Sequence, residues 1–259
     1  MATYKKRGYK PKTEKEKEVI EQDLGENSTT AEVFNTLDET ASRTEDFVAA
    51  NQKYIFIIIG VVAALVLGYL GFKEFVTKPA QEEAMNEMYH AQKQFNDAVN
   101  GISSDSLYSV TLNGSEGKFG MLDIMKEYSG TPAANLAKYY AGMSYLNLKD
   151  YKNAVSMLDD YKAEDEATGP LAKGAIGDAF VQLNQKEDAL KYYIDAAKMR
   201  DNELTTPTYY YKAGTIALEL GKATEALGYF NIIKEKYPST TEASSVDVFI
   251  GKAEAMSNK

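Results

Sequence analysis

The chain has no cysteine and no tryptophan, and it carries a single histidine, His90, among 259 residues. The absence of cysteine excludes disulfides, thiolate metal sites and a cysteine nucleophile. A lone histidine also puts a histidine-based metal site and a Ser-His triad out of reach. The glycine-rich stretch Asn113–Gly120 lacks the spacing and the strand context of a phosphate-binding loop. We therefore expect no catalytic residue, no metal and no cofactor, and we interpret the protein as a non-enzyme.

Positive charge is also in short supply. The chain has 29 Lys and Arg against 38 Asp and Glu, which gives a net charge of −9. Binding to nucleic acid needs clustered basic side chains that neutralise phosphates. The basic residues near the N-terminus are interleaved with Glu14, Glu16 and Glu18. The composition therefore argues against a nucleic-acid partner.

One long apolar run stands out in this otherwise polar chain. Tyr54–Phe72 holds nineteen residues without a charge, and Lys53 and Lys73 flank it. A helix of this length spans about 28 Å, close to the ~30 Å hydrocarbon thickness of a bilayer. A buried core helix is the alternative, but such a helix usually keeps a polar stripe, and this run has none. The run predicts a single transmembrane helix, so a lipid bilayer is the first expected partner.

The position of this run predicts an uncleaved signal anchor, because it begins too far from the N-terminus for a cleaved signal peptide. The basic residues close to it are Arg43 and Lys53 on one side and Lys73 and Lys78 on the other. This tie leaves the orientation open under the positive-inside rule. The basic extreme N-terminus favours a cytoplasmic tail with the larger C-terminal part outside.

Two segments precede the span. Residues 1–27 are rich in Lys and Glu and poor in large apolar side chains, which predicts a disordered tail. Residues 28–53 begin with a capping box, Thr29 and Glu32, and continue with apolar residues at helical spacing, which predicts an amphipathic juxtamembrane helix. Its polar face is acidic, whereas helices that lie on lipid favour Lys and Arg. It is therefore either a docking helix for a protein partner or a stalk leading into the span.

Small residues recur at every fourth position within the span. Gly60, Ala64 and Gly68 form a small-xxx-small pattern, which lets two membrane helices approach closely. We predict that these three residues form a packing ridge for another membrane helix.

The part of the chain after the span reads as helical throughout. Residues 80–100 carry apolar residues at core spacing, and residues 105–113 suggest a short helix capped by Gly114. No alternating stretch is long enough to predict a strand. We therefore expect an all-α domain.

A repeat organises this domain. A glycine is followed twelve residues later by an alanine and four residues after that by a large side chain, and the unit recurs at spacings of 35 and 37 residues. The three occurrences are Gly142, Ala154 and Leu158; Gly177, Ala189 and Tyr193; and Gly214, Ala226 and Phe230. The glycine lets two helices approach closely, the alanine fills the crossing, and the large residue is buried between neighbouring repeats.

This pattern resembles the tetratricopeptide repeat family, whose period is 34 residues. The departures are Ala217, which replaces a helix-A aromatic residue, and the terminal proline, which is present only as Pro238. The resemblance implies a tetratricopeptide-type helical solenoid at residues 80–257, which follows the single transmembrane helix predicted at residues 54–72. The predicted units are a degenerate first repeat at 80–131 with its second helix at 118–128, repeats at 132–168, 169–205 and 206–240, and a capping helix at 241–257.

In this family the first helix of each repeat lines a concave groove. The repeat register implies that the following residues line it here: Leu136, Tyr139, Met143, Leu146, Asp178, Val181, Thr208, Tyr211, Thr215 and Leu218. A surface of Tyr, Met and Leu suits an extended or helical polypeptide, and methionine adds adaptability.

The order of a short tail, one span and a helical repeat domain resembles the YfgM-type ancillary subunits of the SecYEG translocon. The resemblance implies a non-catalytic chaperone or adaptor in the bacterial inner membrane, with a cytoplasmic N-terminus and a periplasmic repeat domain. Its expected partners are translocon subunits, a PpiD-like folding factor and unfolded secretory polypeptides. The longer tail departs from that family. The alternative is a structural scaffold of another envelope complex, in secretion, motility or division.

Overall fold

The structure is a computed structural model of the chain, and it describes residues 29–101, 105–163 and 165–257, with side chains from residue 48 onward. The chain divides into two compact units, Met1–Leu70 and Gly71–Lys259. The predicted disordered tail, residues 1–27, lies outside the described residues.

The first unit is built around one long helix, α1, Thr29–Phe72. The two segments predicted on either side of residue 53 therefore lie on a single helix without a break. The side chains of the predicted capping box lie outside the described residues. Within residues 54–72 of this helix, most large apolar side chains are more than half exposed, including Leu65 at 69% and Leu67 at 68%. One helical segment, Val48–Val99, is long and apolar enough to cross a membrane.

The backbone stays helical around Pro79. A π-helical segment, Lys73–Thr77, precedes helix α2, Lys78–Val99, in which Pro79 is the second residue. Proline lacks an N–H donor and crowds the preceding turn. The wider π turn is a recognised way for a helix to absorb such an irregularity.

The second unit continues as a series of helices. They are α3 Asp105–Asn113, α4 Met121–Glu127, α5 Pro132–Asn147, α6 Tyr151–Asp159, α7 Thr168–Gln182, α8 Lys186–Met199, α9 Thr205–Glu219, α10 Ala223–Lys236 and α11 Thr241–Ser257. The described part of the chain contains no strand, only an isolated bridge between Ser115 and Lys118. The helical prediction is therefore confirmed for this part of the chain.

The helices of this unit pack in two rows. Helices α2, α5, α7, α9 and α11 each contact the next and form what we call the A row. Helices α6, α8 and α10 form the B row, and each contacts the two A-row helices that flank it in sequence. Stacking of helical pairs in this way is the architecture of a repeat solenoid.

The repeat signature lies at the closest helix–helix contacts. A Cβ added at Gly142 would lie 2.5 Å from Leu158, and one added at Gly177 or Gly214 would lie 2.6 Å from the Tyr193 or Phe230 ring. The three signature alanines are fully buried: Ala154, Ala189 and Ala226. The large residue thus faces the glycine of its own repeat, which refines the expectation that it packs between repeats. Pro238 is exposed and follows the end of α10.

The turns between the A and B helices also repeat. Lys149, Asn184 and Gly221 have φ values of 63°, 57° and 75° and stand 35 and 37 residues apart. In each turn the next backbone N–H donates to a carbonyl five residues earlier, at 2.8–2.9 Å. A left-handed residue at this position ends the A helix and satisfies its last carbonyls. The repeat is therefore one of backbone geometry as well as of side chains.

The first repeat departs from the others. Its second helix was predicted over residues 118–128, but only Met121–Glu127 is helical, and α3 supplies another packing surface against α2. Tyr108, Thr111 and Leu112 of α3 are buried in the core. Two glycines allow the interruption, since the backbones at Gly114 (φ 75°) and Gly120 approach too closely for a Cβ at either position.

The glycine contacts lead to a stability prediction in the repeat at residues 206–240. Gly214→Ala places a methyl group against the fully buried Phe230, so we expect the free energy of unfolding to fall by about 1–3 kcal/mol. Gly228→Ala is the matched control, because a Cβ there meets nothing within 4 Å. It should raise the free energy of unfolding by up to about 1 kcal/mol through helix propensity. Urea unfolding of the full chain in mild detergent measures both, and equal effects would contradict the packing assignment.

Candidate functional site

The predicted groove residues on α5 are all half-buried. Leu136, Tyr139, Met143 and Leu146 follow one another along one face of the helix. Tyr139 and Leu146 pack against a cluster that contains Leu158, Ala172 and Ile176. Burial raises the pKa of Tyr139 to about 12. These side chains thus partly fill the space between α5 and α7.

Met143 is covered from a second side. It also packs against the cluster of Phe95, Ala98 and Tyr108, which α2 and the inserted helix α3 provide. The A-row surface is therefore occupied by the chain itself at the first repeat. We call the part of this surface on α7 and α9 the open stretch, because it carries Leu171, Asp178 and Lys212, whose side chains are 36–39% exposed.

On α7 and α9 the remaining predicted residues are also half-buried. They are Asp178, Val181, Thr208, Tyr211 and Thr215. The Tyr211 ring packs edge-on against Phe230 and Phe249, at centroid distances of 6.1 and 5.1 Å. The Thr208 hydroxyl donates to Glu242 at 2.6 Å, and the Thr215 hydroxyl donates to the backbone of Tyr211. The contacts of Thr208 and Tyr211 with Glu242 and Phe249 tie α9 to the capping helix.

Leu218 does not belong to the exposed surface. Its side chain is 5% exposed and lies in the core cluster with Phe230 and Ile233. This corrects its predicted place in the groove. The reason is that Leu218 belongs to the core that α9 shares with the capping helix α11, since the same cluster contains Val246 and Ala253.

A polar cluster lies at the centre of the open stretch. Asp178 Oδ1 accepts a hydrogen bond from the Tyr193 hydroxyl at 2.6 Å and another from Lys212 Nζ at 2.6 Å. The side chains of Lys212 and Asp178 are 37% and 39% exposed. This ion pair joins the repeat at residues 169–205 to the repeat at residues 206–240, and part of it faces solvent.

Two tyrosine rings contact the Lys212 ammonium group of the pair. Lys212 Nζ lies 5.5 Å from the Tyr193 ring centre and 5.8 Å from that of Tyr209, and the two rings are stacked 6.3 Å apart. A cation over aromatic faces is attracted by the ring quadrupole. The Tyr209 ring fits against α7 only because residue 174 is glycine, where a Cβ would lie 1.9 Å from the ring.

Burial keeps both supporting phenols protonated. It raises the pKa values of Tyr193 and Tyr209 above the usual range, and the charge of Asp178 raises them further. At neutral pH the Tyr193 hydroxyl is thus a permanent donor to Asp178. The cluster is suited to binding by hydrogen bonds, since the side chains of Asp178 and Lys212 are both partly exposed.

The repeat register missed two contributors to this surface. Lys212 stands 34 residues after Asp178, three short of the 37 residues between Gly177 and Gly214, so repeat spacing does not identify it. Leu171 stands 35 residues after Leu136, the same spacing as between Gly142 and Gly177, and its side chain is 36% exposed. Repeat spacing is therefore a signal that identifies Leu171 alone.

A second cluster has the same chemistry on the B-row side. Asp159 at the end of α6 accepts hydrogen bonds from Lys173 at 3.0 Å and from the Tyr192 hydroxyl at 3.4 Å. Lys173 Nζ lies 5.1 Å from the Tyr192 ring centre. This cluster provides an internal comparison for the one around Asp178.

The described residues hold no cluster typical of a metal site. No group of three or more His, Asp or Glu side chains in this part of the chain has the geometry to bind a metal. The ring of His90 lies 3.3 Å from the Ser115 hydroxyl. At the predicted membrane ridge, a Cβ added at Gly60 or Gly68 meets nothing within 4 Å, so the role of Gly60, Ala64 and Gly68 stays a prediction.

Comparison with known proteins bears on the repeats alone. Two family profiles described as Tetratricopeptide repeat match residues 136–165 and 175–239, which confirms tetratricopeptide repeats in these two ranges. A crystal structure described as a Podosopora anserina putative kinesin light chain with nearly identical TPR-like repeats is similar at 10% identity. That similarity covers 69% of this chain and 88% of the other, with a TM-score of 0.47. No curated protein matches the chain.

The buried phenol of Tyr139 leads to a prediction about alkaline stability. Its pKa is about 12 in the folded chain and about 10 when unfolded, so the folded state holds the proton more tightly. This contribution to stability is complete below pH 10 and is lost as the pH rises from about 10 to 12. In Tyr139→Phe, which removes the ionisable group, stability should therefore fall less steeply over this range. Urea unfolding at several alkaline pH values measures the slope, and identical slopes would contradict the assignment.

Proposed function

We propose that the protein is a membrane-tethered adaptor whose repeat domain binds extended polypeptide segments. Tetratricopeptide repeats imply a protein–protein interaction scaffold, and this is the basis of the proposal. The observation that carries the tethering is the exposure of residues 54–72, where large apolar side chains such as Leu65 and Leu67 are 69% and 68% exposed. An apolar surface of this extent needs a bilayer or a partner to cover it.

The site proposed for the partner is the open stretch of the A row. It combines the exposed Leu171 with the Asp178–Lys212 pair and the half-buried Val181. An apolar contact beside a polar pair suits a polypeptide with alternating side chains, since neighbouring residues of an extended chain point in opposite directions. Tethering would raise the local concentration of this site near the membrane, so that weak binding becomes useful.

The more specific form of the proposal follows the resemblance to YfgM-type subunits. In it the N-terminal tail is cytoplasmic, the repeat domain is periplasmic, and the protein stands beside the Sec translocon and a PpiD-like folding factor. The repeat domain would then hold secretory polypeptides as they emerge, without catalysing a reaction. The ridge of Gly60, Ala64 and Gly68 would contact a helix of the translocon or of the folding factor.

A second candidate is a scaffold that binds one folded partner in another envelope complex. It is favoured by the partial filling of the A-row surface, where Met143 packs against α3 and Tyr211 packs against Phe249. A surface that its own side chains occupy offers less room to diverse ligands. The two candidates differ in which proteins should co-purify with the chain from solubilised membranes.

Affinity purification of the full chain from gently solubilised membranes separates them. The first candidate predicts translocon subunits and a PpiD-like protein in near-stoichiometric amounts. Gly60→Leu and Gly68→Leu should reduce this recovery, because a large side chain on the ridge would hold the partner helix away. Both positions have free space in the isolated chain, so neither change should disturb the chain itself. Recovery of a different complex without any translocon subunit would refute the first candidate and support the second.

Protease treatment of spheroplasts tests the orientation. We expect the repeat domain to be digested while the membrane remains intact, because it would face the periplasm. The N-terminal tail should resist digestion until the membrane is lysed. A repeat domain that stays protected in intact spheroplasts would contradict the proposed orientation.

A further inference from the structure

The Asp178–Lys212 pair leaves one carboxylate oxygen without a hydrogen bond. Both donors, the Tyr193 hydroxyl and Lys212 Nζ, bind Oδ1. Oδ2 accepts no hydrogen bond from the described residues, and no buried side-chain oxygen in that part of the chain lacks a partner. Oδ2 is therefore open to solvent, which agrees with the 39% exposure of the Asp178 side chain.

Lys212 also keeps unused capacity. Its ammonium group has three N–H donors and gives one of them to Asp178. The contacts with the Tyr193 and Tyr209 rings hold the group in place. The pair thus offers a fixed acceptor and a fixed donor side by side.

The net charge of the pair is zero, so it attracts neither acidic nor basic ligands strongly. Its complement is a neutral donor and acceptor that point to the same side, which is what the N–H and the C=O of a single residue present in an extended chain. We propose that the Asp178–Lys212 pair binds the main chain of one residue of an extended polypeptide, with Oδ2 accepting that residue's N–H and Lys212 donating to its carbonyl oxygen. This rests on the proposed polypeptide-binding function and specifies how the site achieves it.

The surroundings favour a main-chain amide over the side-chain amide of Asn or Gln. Leu171 lies two helical turns before Asp178 on the same face of α7, and it is 36% exposed. An apolar side chain of the ligand packs on Leu171 while the main chain continues to the pair. Recognition then depends on the backbone and on an apolar residue, and not on a particular polar side chain.

Asp178→Asn is the discriminating variant. The amide oxygen of Asn keeps both hydrogen bonds, from Tyr193 and from Lys212, while its NH₂ group replaces Oδ2. The variant therefore changes an acceptor into a donor at the ligand position with almost no change of shape. Asp159→Asn is the matched control, because it makes the same change in the second Asp–Lys–Tyr cluster.

The probe is a fluorescein-labelled peptide, blocked at both ends, with leucine at alternate central positions, Ser and Thr between them and no Asn or Gln. Single N-methyl groups placed at successive central bonds remove one N–H at a time. Fluorescence anisotropy with the full chain in detergent measures affinity. Circular dichroism and urea unfolding confirm that each variant is folded.

We expect N-methylation at one central bond to weaken binding to the wild-type chain about tenfold, the size of one hydrogen bond to a charged group. Asp178→Asn should weaken binding of the unmethylated peptide by a similar factor and show no further loss on methylation. Asp159→Asn should behave as wild type. Binding to the wild-type chain should depend only weakly on salt, since the recognised group is neutral.

Several results would overturn the inference. They are equal sensitivity to methylation in wild type and Asp178→Asn, an equal loss in Asp159→Asn, and binding only of peptides that contain Asn or Gln. Failure of the probe to bind while partners still co-purify with the full chain would overturn this inference alone. Specific, methylation-sensitive binding without co-purifying translocon subunits would refute the translocon proposal and leave this inference standing.

Discussion

The contact between a glycine of an A helix, in α5, α7 and α9, and a large side chain of the following B helix determines the arrangement of the repeat domain. At Gly142, Gly177 and Gly214 there is no room for a Cβ, since Leu158, Tyr193 or Phe230 occupies that space. The helices of a pair can therefore approach closely, and the buried alanines fill the crossing. Because one pair buries too little apolar surface to stand alone, the stack of pairs is the stable unit.

The same contact positions the candidate site in the repeat at residues 169–205. The Tyr193 ring fills the space at Gly177, and its hydroxyl binds Asp178, the next residue on α7. Tyr209 then stacks on Tyr193 from α9, and Lys212 lies over both rings. Packing between the helices thus sets the position of a polar pair at the surface. A ligand-binding group held in this way loses little freedom on binding, which favours affinity.

The repeat spacing was sufficient to predict the helical pairs, their signature residues and Asp178. It did not reveal the partners of Asp178, because the contacts of Lys212 and Tyr209 cross between repeats and depend on the absence of a side chain at Gly174. Leu218 was misplaced because it belongs to the core that α9 shares with the capping helix, an effect of the terminus that an internal repeat does not encode. The interrupted first repeat was only partly predicted, since its packing relies on the backbone approach of Gly114 and Gly120.

The central claim is that extended polypeptides bind the A row at α7 and α9. The absence of cysteine permits a direct test, because a single introduced thiol is the only reactive one. Leu171→Cys places it on the A row. Val248→Cys places it on α11, at a position where the native side chain is 77% exposed. An unfolded, cysteine-free polypeptide should slow maleimide modification at position 171 and leave position 248 unchanged. Equal rates at position 171 with and without the polypeptide, under conditions where it is bound, would contradict the claim.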